Sequence, residues 1–262
     1  MTDDQANSEV TCHIADAVAT ITMTTPSLGS AAKRGLLDCV QQVTDDASVR
    51  AVVLTGTGRV FSAGQDLAEH ADALAAEGEP FATIEQHYNP VVIALATMPK
   101  PVIAAINGTC AGAGLGLALA CDLRVAVAGT KFVTAFSSIG LTPDSGLSAS
   151  LARAVGAARA SELILLADAF TAEDALAWGM IGRIADAADF DTTIDALAHR
   201  LAAGPTRAYA TSKVAIRNAW AAGWDDVLAR EVHSQTALGS TTDHRDAVSA
   251  FLSKSRPTFT GR

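Results

Sequence analysis

The chain of 262 residues is 49% hydrophobic and 18% charged, enough to bury a sizeable core, and it suits one domain with a helical appendage better than two equal domains. Its formal net charge of −9 excludes a general binder of nucleic acid or of membrane surfaces, which needs an excess of Lys and Arg, yet permits a polyanionic ligand held by a few cations or backbone amides. The cysteines Cys12, Cys39, Cys110 and Cys121 lack CxxC spacing, so neither a zinc site nor a redox pair is suggested and reduced thiols fit.

The N-terminal MTDDQANSEV is polar and acidic, without the basic and apolar regions of an export signal, which points to the cytoplasm. Val10–Ile14 and Val18–Thr22 are β-prone runs joined at Ala15-Asp16-Ala17 and predict a hairpin. Leu36, Leu37, Val40 and Val43 at helical spacing predict a helix over Ala32–Val43. Ala51–Thr55 is a buried-type strand running into Gly56-Thr57-Gly58. The polar, Ala- and Glu-rich segment from Leu67 to Pro80 reads as mobile. Val91–Ala96 continues a helix that Pro99 ends.

Val102–Ile106 and Leu123–Val127 are further buried strands. No charge lies between Lys100 and Asp122, a length able to span a bilayer. Asn107-Gly108 and the glycines at 112, 114 and 116 argue instead for a buried strand, a turn and a buried helix. Beyond Lys131–Thr134 seven helices follow: Leu147–Val155, Ala158–Leu166, Ala172–Trp178, Thr193–Ala203, Thr206–Ala221, Asp225–Leu238 and Asp243–Ser253. Strands alternating with helices predict an α/β core with parallel pairing, followed by a helical C-terminal third.

Three stations carry candidate chemistry. In Phe61-Ser-Ala-Gly-Gln-Asp-Leu67 the small Ala63 and Gly64 let the backbone approach a ligand and turn an N–H outward, although an ordinary loop has the same composition. Asn107–Leu117 follows a strand and opens a helix, whose free N–H groups and dipole can stabilise developing negative charge. A dinucleotide loop fails there, because the spacing is GxGxG and Phe136, about twenty residues past Gly116, is not acidic. The third is Phe136–Gly146, where Asp144 is either a reactive acid or a helix cap. The histidines at 13, 70, 87, 199, 233 and 244 form no HxH or HExxH pattern, no GxSxG elbow is present, and no metal is expected.

In this order FSAGQDL, KPVIAAINGTCAGAGLGLALACDLRVA, GLTPDSG, WGMI and DAVSAFLSKSRPTF resemble the crotonase, or enoyl-CoA hydratase/isomerase, family over nearly the whole chain from Val10. One departure is Pro26-Ser-Leu-Gly-Ser in place of the usual Asn-Ala-Leu-containing segment. The resemblance implies a repeated ββα spiral core over residues 1–200 and a helical oligomerisation region over 201–262, assembled as a homotrimer or a dimer of trimers. It implies an acyl-CoA substrate with no tightly bound cofactor. The backbone N–H groups of Gln65 and Ala113 would hold the thioester oxygen, and Ala63, Gly64, Asp66 and Leu67 would run along the CoA. Gly112 would belong to the second turn, and Lys254, matched to a lysine in the final helix, would meet the CoA phosphates.

Family hydratases carry two glutamates over the acyl chain; Gly116 and Phe136 stand at those positions. Asp144 matches the single carboxylate of family isomerases, and the combination with Tyr88-Asn89-Pro90 resembles the branch acting on ring-epoxidised phenylacetyl-CoA and Δ3-enoyl-CoA. Phe136, Ile139 and Leu117 would desolvate that carboxylate and raise its pKa. The expected activity is acyl-CoA isomerisation; a hydratase with another base and a non-catalytic acyl-CoA-binding paralogue are the alternatives.

Overall fold

The computed structural model describes residues 9–262, and the export-signal reading of the first eight residues lies outside them. β1 (Val10–Ala15) and β2 (Val18–Met23) pair antiparallel around Asp16 and Ala17, whose φ of 49° and 63° make the two-residue turn that matches strand twist. β3 (Ser27–Leu28) leads into α1 (Ser30–Asp45), which buries Ala32, Leu36, Val40 and Val43 on one face. β4 (Ala51–Gly56) is followed by the short β5 (Val60–Ser62) and β6 (Gly64–Gln65), then α2 (Leu67–Ala75). A π-helical turn over Ile84–Tyr88 runs into α3 (Asn89–Thr97). β7 (Val102–Ile106), β8 (Thr109–Ala111) and α4 (Ala113–Ala120) repeat the strand, strand, helix order, and β9 (Leu123–Val127) and β10 (Lys131–Val133) begin it again.

α5 (Leu147–Val155), α6 (Ala157–Leu166), β11 (Phe170–Thr171), α7 (Ala172–Ala177), β12 (Arg183–Ala185) and α8 (Phe190–Ala202) complete the core. α9 (Thr206–Ala219), α10 (Trp224–Gly239) and α11 (Thr242–Leu252) close the chain. Each repeat gives its longer strand to a six-stranded sheet ordered β1-β2-β4-β7-β9-β12, in which all pairs but the first are parallel, and its shorter strand to a four-stranded sheet ordered β11-β10-β8-β5. This is a repeated ββα spiral with a helical C-terminal region. Phe61, Leu54, Ile106, Leu115, Leu117 and Phe132 fill the main core between the sheets and α1, α3 and α4; α8 buries Ile194 and Leu197 against the other face of the large sheet.

The segment after Leu67 holds α2, because the Asp66 carboxylate accepts from the Ala68 and Glu69 N–H groups and starts the helix. One expectation is corrected. Lys254 lies past the final helix rather than in it, at φ 54° after α11 ends on Leu252. Among the described residues no helix is long and apolar enough to cross a membrane, and Lys100–Asp122 divides into β7, β8 and α4 as its glycines imply.

Candidate active site

The two glycine-rich turns meet. Gly64 has φ +85°, and a Cβ on it would lie 3.0 Å from the Ala113 nitrogen and 3.1 Å from the Ala111 oxygen. Only glycine supplies both that backbone conformation and that approach. β6 pairs in parallel with β3, and there the Asp66 N–H donates to the Leu28 carbonyl. The start of α4 packs against β6, which sets the Gln65 peptide beside the second turn. At the start of α4 the Gly112 N–H donates to Val133, while Leu115 and Gly116 donate back to the Gly112 carbonyl. The Ala113 N–H meets no acceptor among the described residues, as expected of a first helical turn. The Ala113 N–H, backed by the α4 dipole, is thus left beside the Gly64 turn, where a free first-turn donor favours negative charge.

Around that space the side chains are polar and interlocked. The Tyr88 hydroxyl donates to Gln65 Oε1 at 3.0 Å and Lys33 Nζ donates to the same oxygen at 3.2 Å. Lys33 is also ion-paired with Glu69 at 2.9 Å, and Ser27 donates to Asp66 at 2.9 Å. Tyr88 is buried, and its phenol is pushed far up by that burial and by the nearby charges of Asp144, Glu69 and Asp66. Lys33 and Glu69 carry no spacing signal in the sequence; the fold brings α1 and α2 together to make the pair.

Asp144 stands between a 3-10 turn at Ser137–Ile139 and α5, where Ser145 and Gly146 have φ of 51° and 70°. Its backbone carbonyl accepts from the Leu147 N–H, but its carboxylate accepts only from the Ser145 hydroxyl, at 2.8 Å, among the described residues. α5 has Gly146 at its N-cap and no side-chain cap, so Asp144 is not serving as a helix cap. Burial raises its carboxyl above the ordinary range, against a smaller opposing pull from Ser145. Gly116 packs beneath Ser145, and Phe136 and Leu117 are buried in the core, whereas Ile139 is 52% exposed. Gly116, Ser145 and Gly146 also line one end of a ≈600 Å³ cavity that continues between α3, α5 and α9.

The structure thus brings the Gly64 turn against Gly112 and Ala113, and the packing of Gly116 beneath Ser145 brings the Asp144 segment onto the same helix. Lys254 is exposed, and its ammonium makes no hydrogen bond or ion pair among the described residues. No cluster of His, Cys, Asp and Glu among those residues is suited to a metal.

Residues 13–262 match the family model for enoyl-CoA hydratase/isomerase. The 1,2-epoxyphenylacetyl-CoA isomerase of Escherichia coli K12 is 41% identical over 255 residues, covering 95% of this chain and 97% of that protein. The short-chain-enoyl-CoA hydratase of Clostridium acetobutylicum is 31% identical over 242 residues, covering 90% and 92%. A crystal structure of a Mycobacterium abscessus protein classed with the enoyl-CoA hydratase/isomerases superposes with a TM-score of 0.93 at 43% identity, covering 97% of this chain and 100% of that one. With the spiral core and the paired turns in place, the chain belongs to the enoyl-CoA hydratase/isomerase family, the crotonase superfamily of enzymes.

Proposed function

We propose that this protein is a cytoplasmic acyl-CoA isomerase in which Asp144 carries a proton between two carbons of the bound acyl group. The observation that carries the reading is the carboxylate inventory. Asp144 is partly buried, uncommitted to any backbone donor among the described residues and raised in pKa, while Gly116 and Phe136 supply no second carboxylate. One base serves both halves of a proton shuttle, whereas water addition needs a second group to hold the water.

With a Δ3-enoyl thioester, the Asp144 carboxylate takes a proton from the carbon beside the thioester. The C–H electron pair forms a double bond to the thioester carbon as the carbonyl pair moves onto the thioester oxygen, giving a dienolate whose charge the Gln65 and Ala113 N–H groups stabilise. Protonated Asp144 then returns the proton to the γ carbon, and the double bond comes to rest in conjugation with the thioester. Losing one such backbone donor typically costs about 3 kcal/mol of barrier. Coenzyme A enters only as part of the substrate, with Ala63, Gly64, Asp66 and Leu67 along its pantetheine and adenine and Lys254 open to its phosphates. The similarity to the E. coli isomerase of 1,2-epoxyphenylacetyl-CoA supports a ring-epoxidised arylacetyl thioester as a second substrate class. The working assembly we infer is a homotrimer or a dimer of trimers through residues 201–262, where Trp224 and Phe251 are 80% and 81% exposed in the single chain.

Product analysis with a Δ3-enoyl-CoA, a phenylacetyl-CoA ring epoxide and crotonyl-CoA, side by side, tests the activity. Rearrangement of either of the first two is expected. Hydration of crotonyl-CoA alone would favour the hydratase reading, and tight CoA binding without turnover on any of the three would favour a non-catalytic binder.

A further inference from the structure

The side chain of Gln65 is held at both ends, and its anchors are buried. Oε1 accepts from Tyr88 at 3.0 Å and from Lys33 at 3.2 Å, while Nε2 donates to the Asp66 carbonyl at 3.1 Å. Lys33 is only 2% exposed, on α1, and its other partner Glu69 accepts the Ser30 N–H at the start of the same helix. Tyr88 lies on the π-helical turn before α3, with the Lys33 ammonium 5.9 Å from its ring centre. Two separate elements, α1 and the π-helical turn, thus converge on one amide group, whose other end is held by the adjacent carbonyl.

The reason for such a clamp lies one residue earlier. Gly64, at φ +85°, has no Cβ to restrict its backbone, so the direction of the Gln65 N–H depends on what holds the segment: the short β3 pairing on one side and the anchored Gln65 side chain on the other. A donor that stabilises a transition state has to be fixed before the charge develops. We propose that Lys33 and Tyr88 are positioning residues which, by gripping the Gln65 side chain, aim the Gln65 backbone N–H at the thioester oxygen. The proposal rests on the oxyanion-hole reading above and adds the machinery that sets one of its two donors. Burial of Tyr88 and the acidic groups near it, Asp144, Glu69 and Asp66, keep the phenol protonated and therefore a donor throughout the working range.

The test uses Tyr88→Phe, which removes a single hydroxyl, and Gln65→Met, which keeps the backbone N–H and removes both side-chain anchors. A non-isomerisable saturated acyl-CoA labelled with carbon-13 at the thioester carbonyl is bound to each protein, and its infrared carbonyl stretch is read beside kcat and KM. In the native protein the stretch is expected to fall below its solution value. In both variants it should move back toward solution, with kcat lower by about ten- to a hundredfold and KM little changed. A purely structural role would lower the melting temperature without moving the stretch. An unchanged stretch in both variants overturns the proposal, whether or not kcat falls. An unshifted stretch in the native protein overturns the oxyanion-hole reading itself, and the clamp with it.

Discussion

Gly116 lies directly beneath Ser145: a Cβ on Gly116 would stand 2.7 Å from the Ser145 Cβ and 2.9 Å from its carbonyl oxygen. The second turn of α4 and the segment bearing Asp144 are therefore in backbone contact. Any side chain at 116 has to displace the neighbour that donates a hydrogen bond to the Asp144 carboxylate. A glutamate at 116 and the present placement of Asp144 exclude each other.

Gly116→Ala measures that contact with a clear sign. In an unhindered helix interior the change stabilises by about 1 kcal/mol. Here the added methyl overpacks backbone, at a cost of about 1–3 kcal/mol, so net destabilisation is expected. Turnover should fall as well, because Ser145 shifts and takes Asp144 with it. A raised unfolding midpoint in urea would show that the segment gives way freely and would remove the packing argument.

Asp144→Asn separates chemistry from stability. Isomerisation should vanish while binding of acyl-CoA persists. Burial raises the Asp144 carboxyl in the folded protein, against the smaller effect of Ser145. A raised carboxyl contributes stability that is present below its unfolded pKa and lost as pH rises through the folded one. The variant is thus expected to equal or exceed the native melting temperature at neutral pH, and to lose that advantage below the ordinary carboxylate range. The same raised pKa predicts an acid limb in native kcat, since the base has to be ionised to start the reaction. A variant less stable than the native protein at neutral pH, or an advantage that does not shrink in acid, contradicts the assignment of burial as the dominant cause.

The sequence is legible where one physical signal dominates. β7 lies within the range its apolar run predicts, because burial on both faces of a parallel strand leaves continuous Val, Ile and Ala, and α5 lies where its spaced Leu147 and Leu151 predict a helix. The short strands β3, β5, β6, β8 and β10 have two or three residues each, too few for any period to register. α2 buries no residue and depends on the Asp66 cap, while its Glu69 meets Lys33 across thirty-six positions of sequence. The two turns that meet could be picked out by motif order, since Gly64 and Gly112 both need a backbone conformation that favours glycine. Lys33, Glu69 and the role of Tyr88 depend on side chains that only the fold assembles.

α9 is fastened to the core by a second long-range pair. Lys213 Nζ lies 2.7 Å from the Asp122 carboxylate and donates to the carbonyls of Leu95 and Lys100, while Arg217, one turn on, donates to that of Ala96. Leu95 and Ala96 are in the last turn of α3, where a cation complements the helix dipole. Lys213→Met leaves Asp122 with its Val102 N–H donor but without its cation, and a loss of about 3 kcal/mol is expected. Burial already raises the Asp122 carboxyl in spite of Lys213, and removing the lysine raises it further. The deficit relative to the native protein should therefore be largest above that pKa and shrink as Asp122 takes up a proton in acid. Lys213→Met combined with Asp122→Asn keeps the acceptor for Val102 and removes the unpaired charge, so it should recover much of the loss at neutral pH. Urea unfolding of the single and double variants at neutral and acid pH distinguishes the cases: a deficit independent of pH, unrepaired by the second change, would mean that α9 is held by packing around Lys213 and not by the ion pair.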